Sequence, residues 1–261
     1  MRRVGELLSY GFLGIVYLYI LGPALIVVIG SVNSATSFPS PFESFTLRWY
    51  AQLLQHREFV RSMTVSVGVA AGAAGVATVL AGPAAFALVR GRFRLRDGIA
   101  TFFVAPLVVP QIVLGLAMLQ LLNVLRIPTT SAGLICVHAV FVLPFVLRAV
   151  MTSLIHFDRS LEEAAMSLGA GRLQTLRHVT LPLIRTGLAA GFVLAFIMSF
   201  VNVPLSLFLA TPASTTLPVR VFAYMESRLD PLVAAVGAAL VVVVFAASLF
   251  LERVLRLRLL V

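Results

Sequence analysis

Side chains able to do acid–base or covalent chemistry are few in this chain, and their spacing does not assemble them. His56, His138, His156 and His178 lie in separate segments, without the short-range pairing a metal centre needs. Cys136, the one cysteine, sits in an apolar stretch and has no partner for an intrachain disulfide. No Ser-His-Asp or paired-carboxylate set can be built within one compartment. All 20 basic residues are arginine, which removes both the phosphate-binding lysine of a P-loop and the amine of a Schiff base. The chain is expected to catalyse nothing and to carry no metal and no cofactor of its own.

One segment does have informative spacing, and its chemistry is mechanical. Within residues 155–185, Ser160 and Glu163 stand at capping-box spacing, so a helix is expected to begin there. Leu161, Ala164, Ala165 and Leu168 fall at helical offsets and form one small apolar stripe. Gly169 supplies the tight or left-handed turn that ends the helix. A second helix over 170–180 is expected to expose Arg172 and Arg177 and to stop at Leu181-Pro182. Such a hairpin suits either an interfacial helix held by lipid or a peg for a protein groove, where alanines permit close approach.

The elements around this hairpin follow from composition. The 261 residues are 60% hydrophobic and only 11% charged, against roughly 45–50% and about 25% in soluble domains. Mean hydropathy is +1.04. Six apolar stretches, near 10–30, 62–89, 99–122, 132–154, 186–210 and 231–251, each suffice to cross a bilayer as a helix. The first is too long for a signal h-region and is read as a retained span. An all-α, multi-pass, single-domain protein over 1–261 is therefore expected, in a bacterial inner membrane.

Arginine placement gives the expected orientation. With the N-terminus inside, the inner segments hold Arg2, Arg3, Arg90, Arg92, Arg94, Arg96, Arg148, Arg159, Arg172, Arg177, Arg185, Arg253, Arg256 and Arg258. The outer segments hold Arg48, Arg57, Arg61, Arg126, Arg220 and Arg228. Both termini are thus expected inside, and the net charge of +10 reads as a topology signal rather than a nucleic-acid footprint. Trp49 and Tyr50, in the outer segment 31–61, suit the membrane–water interface.

No Asp, Glu or Arg lies deep within a stretch; Arg148 is near an inner end. A proton-coupled route would need such groups. The polar candidates for a path are Gln111 and Gln120, then Ser199, Asn202 and Ser206. Pro106, Pro110, Pro144 and Pro204 are placed to kink or break their helices and free carbonyls for a cavity. The clusters Pro110-Gln111 and Asn202 to Pro204 combine both features. Gly68 with Gly72, and Gly187 with Gly191, have GxxxG spacing for a contact within the chain or with another subunit.

Glu163-Ala164-Ala165, three residues, Gly169, nine residues, then Val179-x-Leu181-Pro182 resembles the EAA motif of binding-protein-dependent ABC importer permeases. The pattern there is EAA-x3-G-x9-I-x-LP, and valine for isoleucine at 179 is the departure. Phe45-Thr46-Leu47-Arg48-Trp49-Tyr50, the run from Ala85 to Phe93, and Leu217-Pro218-Val219-Arg220-Val221-Phe222 followed by Pro231 are similar to the spermidine/putrescine subgroup. The resemblance implies a type I importer fold, with two permeases enclosing the path, two ATPase subunits that bind ATP and Mg, and a periplasmic binding protein. It implies that 158–182 is a coupling helix hairpin seated on an ATPase. Ser160 and Glu163 would start that helix, Ala164 and Ala165 permit close packing, Gly169 supplies the bend, and Leu181 with Pro182 fix the exit. A heterodimer with a sister permease is favoured over a homodimer.

Polyamine carriers of this subgroup often have an acidic residue where this chain reads Val201-Asn202, which leaves the cargo open among a polyamine, a related amine, an amino-acid derivative, an opine or an aminophosphonate. The alternative outside this class is a self-sufficient secondary transporter or channel, for which paired broken helices are the expected mark; the sequence offers none that is convincing.

Overall fold

The computed structural model describes residues 2–228 and 230–255; Arg256 and Arg258 of the orientation argument lie outside them. The described residues are mostly helical and contain no strand beyond one isolated antiparallel bridge, Asn33 to Phe45. They divide into two compact units, the described parts of 1–61 with 221–246 and the described parts of 62–220 with 247–261.

In the first unit, α1 (Arg2–Ser31) is followed by α2 (Arg48–Gln55) and the opening turn of α3 (Arg57–Arg90). The Tyr10–Ser31 part of α1 is apolar, and none of its most apolar window is buried within the chain, as suits a helix whose solvent is hydrocarbon. The segment between α1 and α2 is organised by one amide. Asn33 Oδ1 accepts the Glu43 and Ala35 N–H groups, and Asn33 Nδ2 donates to the Pro41 carbonyl at 2.8 Å. The Trp49 indole N–H donates to the Asn33 carbonyl at 2.8 Å, and the ring is 6% exposed. Trp49 is thus a core anchor of this loop rather than an interfacial ring, because its one polar atom finds its partner inside.

The second unit carries the rest of α3, then α4 (Arg96–Val108), α5 (Gln111–Val124), α6 (Ser131–His156), α7 (Ser160–Ser167), α8 (Arg172–Thr175), a π turn (Leu176–Thr180), α9 (Leu181–Phe200), α10 (Pro204–Leu207) and the start of α11 (Leu217–Ser227). Ala73, Ala77, Ala81 and Ala85 make a fully buried small-residue ridge along α3. Helices α6 and α9 pair broadly. A Cβ on Gly187 would land on Ser153, and one on Gly191 would press the Val146 backbone at 3.0 Å. The second GxxxG pair therefore serves an internal contact, letting the two backbones close up.

Among the described residues, four helices are long and apolar enough to cross a membrane: Tyr10–Ser31, Arg57–Arg90, Ser131–His156 and Arg172–Phe200. The expected third span is broken. Helices α4 and α5 meet at Val109-Pro110 with a bend of 106°, and count as a fifth crossing only if taken as one. The expected fifth span ends at Phe200, ten residues before its sequence boundary, and the chain restarts as α10 at Pro204. Pro106 and Pro144 stay within α4 and α6. The last apolar stretch falls in α12 (Pro231–Leu255), whose 231–246 part is a shorter apolar helix.

Candidate functional site

The hairpin 158–182 forms, with two differences from expectation. Helix α7 begins at Ser160, but Ser160 makes no capping bond to the helix; Asp158 does the work instead, its Oδ1 accepting the Ser160 N–H at 2.9 Å. That bond holds the exposed Asp158 carboxyl below its ordinary range. Ser160 is already the first helical residue, too far in to cap. Glu163 does not reach back to the backbone. It is exposed and lies 3.3 Å from Arg159, an i,i+4 surface pair of little energetic weight.

Gly169 has φ of +92° and ends α7 in a Schellman arrangement, with Gly169 N–H to the Met166 carbonyl and Ala170 N–H to that of Ala165. The apolar stripe faces outward. Leu161 and Ala164 are exposed, Ala165 is half-buried and Leu168 is 90% exposed. Between the arms lies a groove of about 360 Å³ lined by Ala165, Leu168, Gln174, His178 and Val179.

Leu181-Pro182 does not stop the second helix. The run Arg172–Phe200 is one continuous helix, with Leu181 and Pro182 its exposed entry into α9. A proline lacks the N–H and crowds the carbonyl four residues back. One turn accordingly widens to π geometry, and the Leu181 N–H bonds the Leu176 carbonyl five residues earlier.

Inside the hairpin sits a cluster that sequence reasoning passed over. Glu162 is 7% exposed. Its Oε1 accepts the Thr180 hydroxyl at 2.7 Å, and its Oε2 lies 3.3 Å from Arg90 Nε, an ion pair rather than an aligned hydrogen bond. Arg90 is the last residue of α3 and also lies over the Phe157 ring. A cavity of about 640 Å³ opens beside the pair, lined by Phe86, Arg90, Arg159, Glu162, Arg172 and Thr180 among others. The available signal was that Glu162 is the one acidic residue of α7 out of register with both the motif and the apolar stripe.

The polar candidates of the apolar stretches come together, Gln120 excepted, which is exposed on α5. Pro110 precedes Gln111, the first residue of α5, and Asn202 lies in the gap before Pro204, the first residue of α10. Asn202 Nδ2 donates to Gln111 Oε1 at 3.1 Å, and Asn202 Oδ1 accepts the Leu205 N–H at 2.9 Å, capping α10. The fully buried His138 of α6 joins them. Its Nδ1 is 2.8 Å from Ser199 Oγ and its Nε2 is 3.0 Å from Ser206 Oγ, while Ser206 Oγ donates to the Asn202 carbonyl at 3.1 Å. Every member is satisfied when Nε2 carries the proton and Ser199 donates to Nδ1. A lone histidine in an apolar run was the sequence trace of this spine.

A family model described as "Binding-protein-dependent transport system inner membrane component" matches residues 74–259. The chain belongs to this family. It is a permease subunit of an ABC importer and a multi-pass inner-membrane protein, and its curated relatives are transport permeases rather than enzymes. The permease is 32% identical to the spermidine/putrescine transport system permease protein PotC of Escherichia coli K12, over 92% of this chain and 90% of that one. It is 35% identical to the putrescine transport system permease protein PotI of the same strain, over 84% of this chain and 79% of that one. Its fold matches a chain of a bacterial ABC transporter involved in the import of the acidic polysaccharide alginate, with a TM-score of 0.71 at 20% identity, covering 97% of this chain and 96% of the other. The MetNI methionine transporter matches with a TM-score of 0.66 at 20% identity, over 78% and 97%.

Proposed function

We propose that this permease crosses the inner membrane six times with both termini in the cytoplasm, and supplies half of the path by which a polyamine enters the cell. A second permease, a heterodimeric sister rather than a copy, supplies the other half. A periplasmic binding protein delivers the solute, and the hairpin 158–182 seats on one of two ATPase subunits that bind ATP and Mg. The observation that carries the path reading is the hydrogen bond between Asn202 and Gln111, which joins two helix breaks at polar side chains. Broken helices tolerate exposed backbone only where protein or a water-filled cavity covers it. The polyamine reading is supported by the PotC and PotI likenesses.

The test is uptake of radiolabelled putrescine and spermidine by a polyamine-transport-deficient bacterium expressing the whole system. Uptake that needs the ATPase, and that Asn202→Leu abolishes while membrane expression persists, is the expected result. Uptake of an amino-acid derivative instead, with no polyamine taken up, would overturn the cargo and leave the path standing; the neutral Asn202, where a carboxylate would better offset a polycation's desolvation, makes that arm worth running. Full uptake by the variant would overturn the path.

A further inference from the structure

We propose that Glu162, and not the motif carboxylate Glu163, is the positioning residue that carries movement of the hairpin into the membrane helices. The inference rests on the reading of 158–182 as the ATPase-seated segment. Its ground is geometric. The two adjacent carboxylates point to opposite sides: Glu163 is 61% exposed at its side chain and pairs with Arg159, just before its helix, whereas the Glu162 side chain is 10% exposed. One Glu162 oxygen holds Arg90, where α3 ends, and the other holds Thr180, the last residue of the π turn that leads into α9. A single carboxylate thus clasps α7 to two helices long and apolar enough to cross a membrane.

The surrounding chemistry makes the clasp a joint rather than a fused core. Leu161, Ala164 and Leu168 of the apolar stripe of α7 are exposed, Leu168 at 90%, so α7 is not packed down by hydrophobic burial at those positions. The cavity of about 640 Å³ adjoins the clasp on the inner side. The Glu162 pair therefore gives force on α7 a direct side-chain route into α3 and α9, and a partly buried carboxylate left without its cation is costly. The π turn places Thr180 in reach. Five-residue spacing over Leu176–Thr180 rotates the end of the hairpin relative to an α-helix, and Thr180 is buried against Glu162.

The experiment measures whether α7 and α3 move together. Spin labels are placed at Val79 on α3 and at Ser167 on α7, which is exposed and outside the apolar stripe, in the full transporter purified with its ATPase and with the exposed Cys136 replaced by serine. Pulsed electron–electron distances are recorded in the resting state and after trapping with ATP and vanadate. With Glu162 intact, the Val79–Ser167 distribution is expected to stay the same in both states. In Glu162→Gln, which removes the charge but keeps an acceptor for Thr180, the trapped-state distribution should broaden or shift beyond the resting width. Glu163→Gln should behave as the parent does. Arg90→Gln, which breaks the same ion pair from the other side, substitutes if Glu162→Gln fails to assemble. A Glu162→Gln distribution matching the parent in both states overturns the proposal, and so does a parent that shifts as much as the variant. Failure of the parent to retain any ATPase is a different result: it overturns the docking reading, and this inference falls with it.

Discussion

Asn202 and Gln111, 91 positions apart in the chain, meet side chain to side chain at 3.1 Å. Each stands where a proline interrupts an apolar helix: Pro110 immediately before Gln111, Pro204 two residues after Asn202. Two breaks that would each leave backbone groups unmet are thus brought to the same place. There the amide of Asn202 closes one break by capping α10 and reaches the other through Gln111. His138 backs the arrangement from α6.

The double duty of Asn202 predicts how its variants rank. Asn202→Leu loses the cap and the cross-link and should destabilise by about 1–3 kcal/mol through the unmet Leu205 and Gln111 groups. Asn202→Ser keeps an acceptor for the Leu205 N–H and should cost less. Combined with Gln111→Leu, Asn202→Leu should be less than additive, because both remove one shared bond. Thermal melting of the purified parent, Asn202→Leu, Asn202→Ser, Gln111→Leu and the double variant checks this. Strict additivity would mean that the two amides do not interact in the membrane.

The sequence disclosed the participants of this cluster better than its geometry. Proline beside an amide in an apolar stretch marked both breaks, because each residue type is costly there and stands out. That the breaks face each other depends on packing between α5, α9 and α6, which no local pattern encodes. His138 went unassigned for the same reason: its two serine partners are 61 and 68 residues away. The hairpin shows the converse. Motif spacing located it and Gly169 announced its own positive φ, yet the motif drew attention to Glu163 and away from Glu162. The expected capping box and helix stop failed locally: Asp158 offered a better-placed acceptor, and a π turn absorbed Pro182.

The close passage of α9 over α6 gives a packing prediction. A side chain on Gly191 would meet the Val146 backbone at 3.0 Å, and backbone cannot rotate away. Gly191→Val should destabilise by about 1–3 kcal/mol from overpacking. Gly68→Val, where a Cβ has nothing within 4 Å, should be close to neutral. Melting in detergent separates the two, and equal effects would contradict the α6–α9 pairing.

Gly169 is predicted to matter through backbone conformation and not through space. A Cβ there meets nothing within 4 Å, but φ is +92°. Any L side chain should therefore cost about 1–2 kcal/mol locally, with leucine no worse sterically than alanine. Because the strain falls on the hairpin, Gly169→Leu should leave the melting of the spans nearly unchanged and reduce ATPase retention and uptake. Co-purification by mass, run beside the melting curve, reads both. Retained ATPase with unimpaired uptake would remove Gly169 from the coupling role.

Asp158 supplies a pH prediction with a definite sign. Its carboxyl is held below the ordinary value of 3.8, first by the Ser160 N–H and then by the Ser160 side chain, with burial opposing weakly. A carboxylate depressed in the folded state adds stability that is fully present above its unfolded pKa and is lost as pH falls through the folded one. The start of α7 should therefore be indifferent to pH across the neutral range and loosen only below 3.8. The Ser160 amide proton reports this directly, since it is donated to the Asp158 oxygen at 2.9 Å. Its chemical shift in the labelled full-length permease should titrate with a midpoint below 3.8 and move upfield as the bond weakens. Asp158→Asn should abolish that titration while keeping an acceptor, and so preserve most of the helix start. A midpoint at or above 3.8 would show that Asp158 is not the group that begins the hairpin.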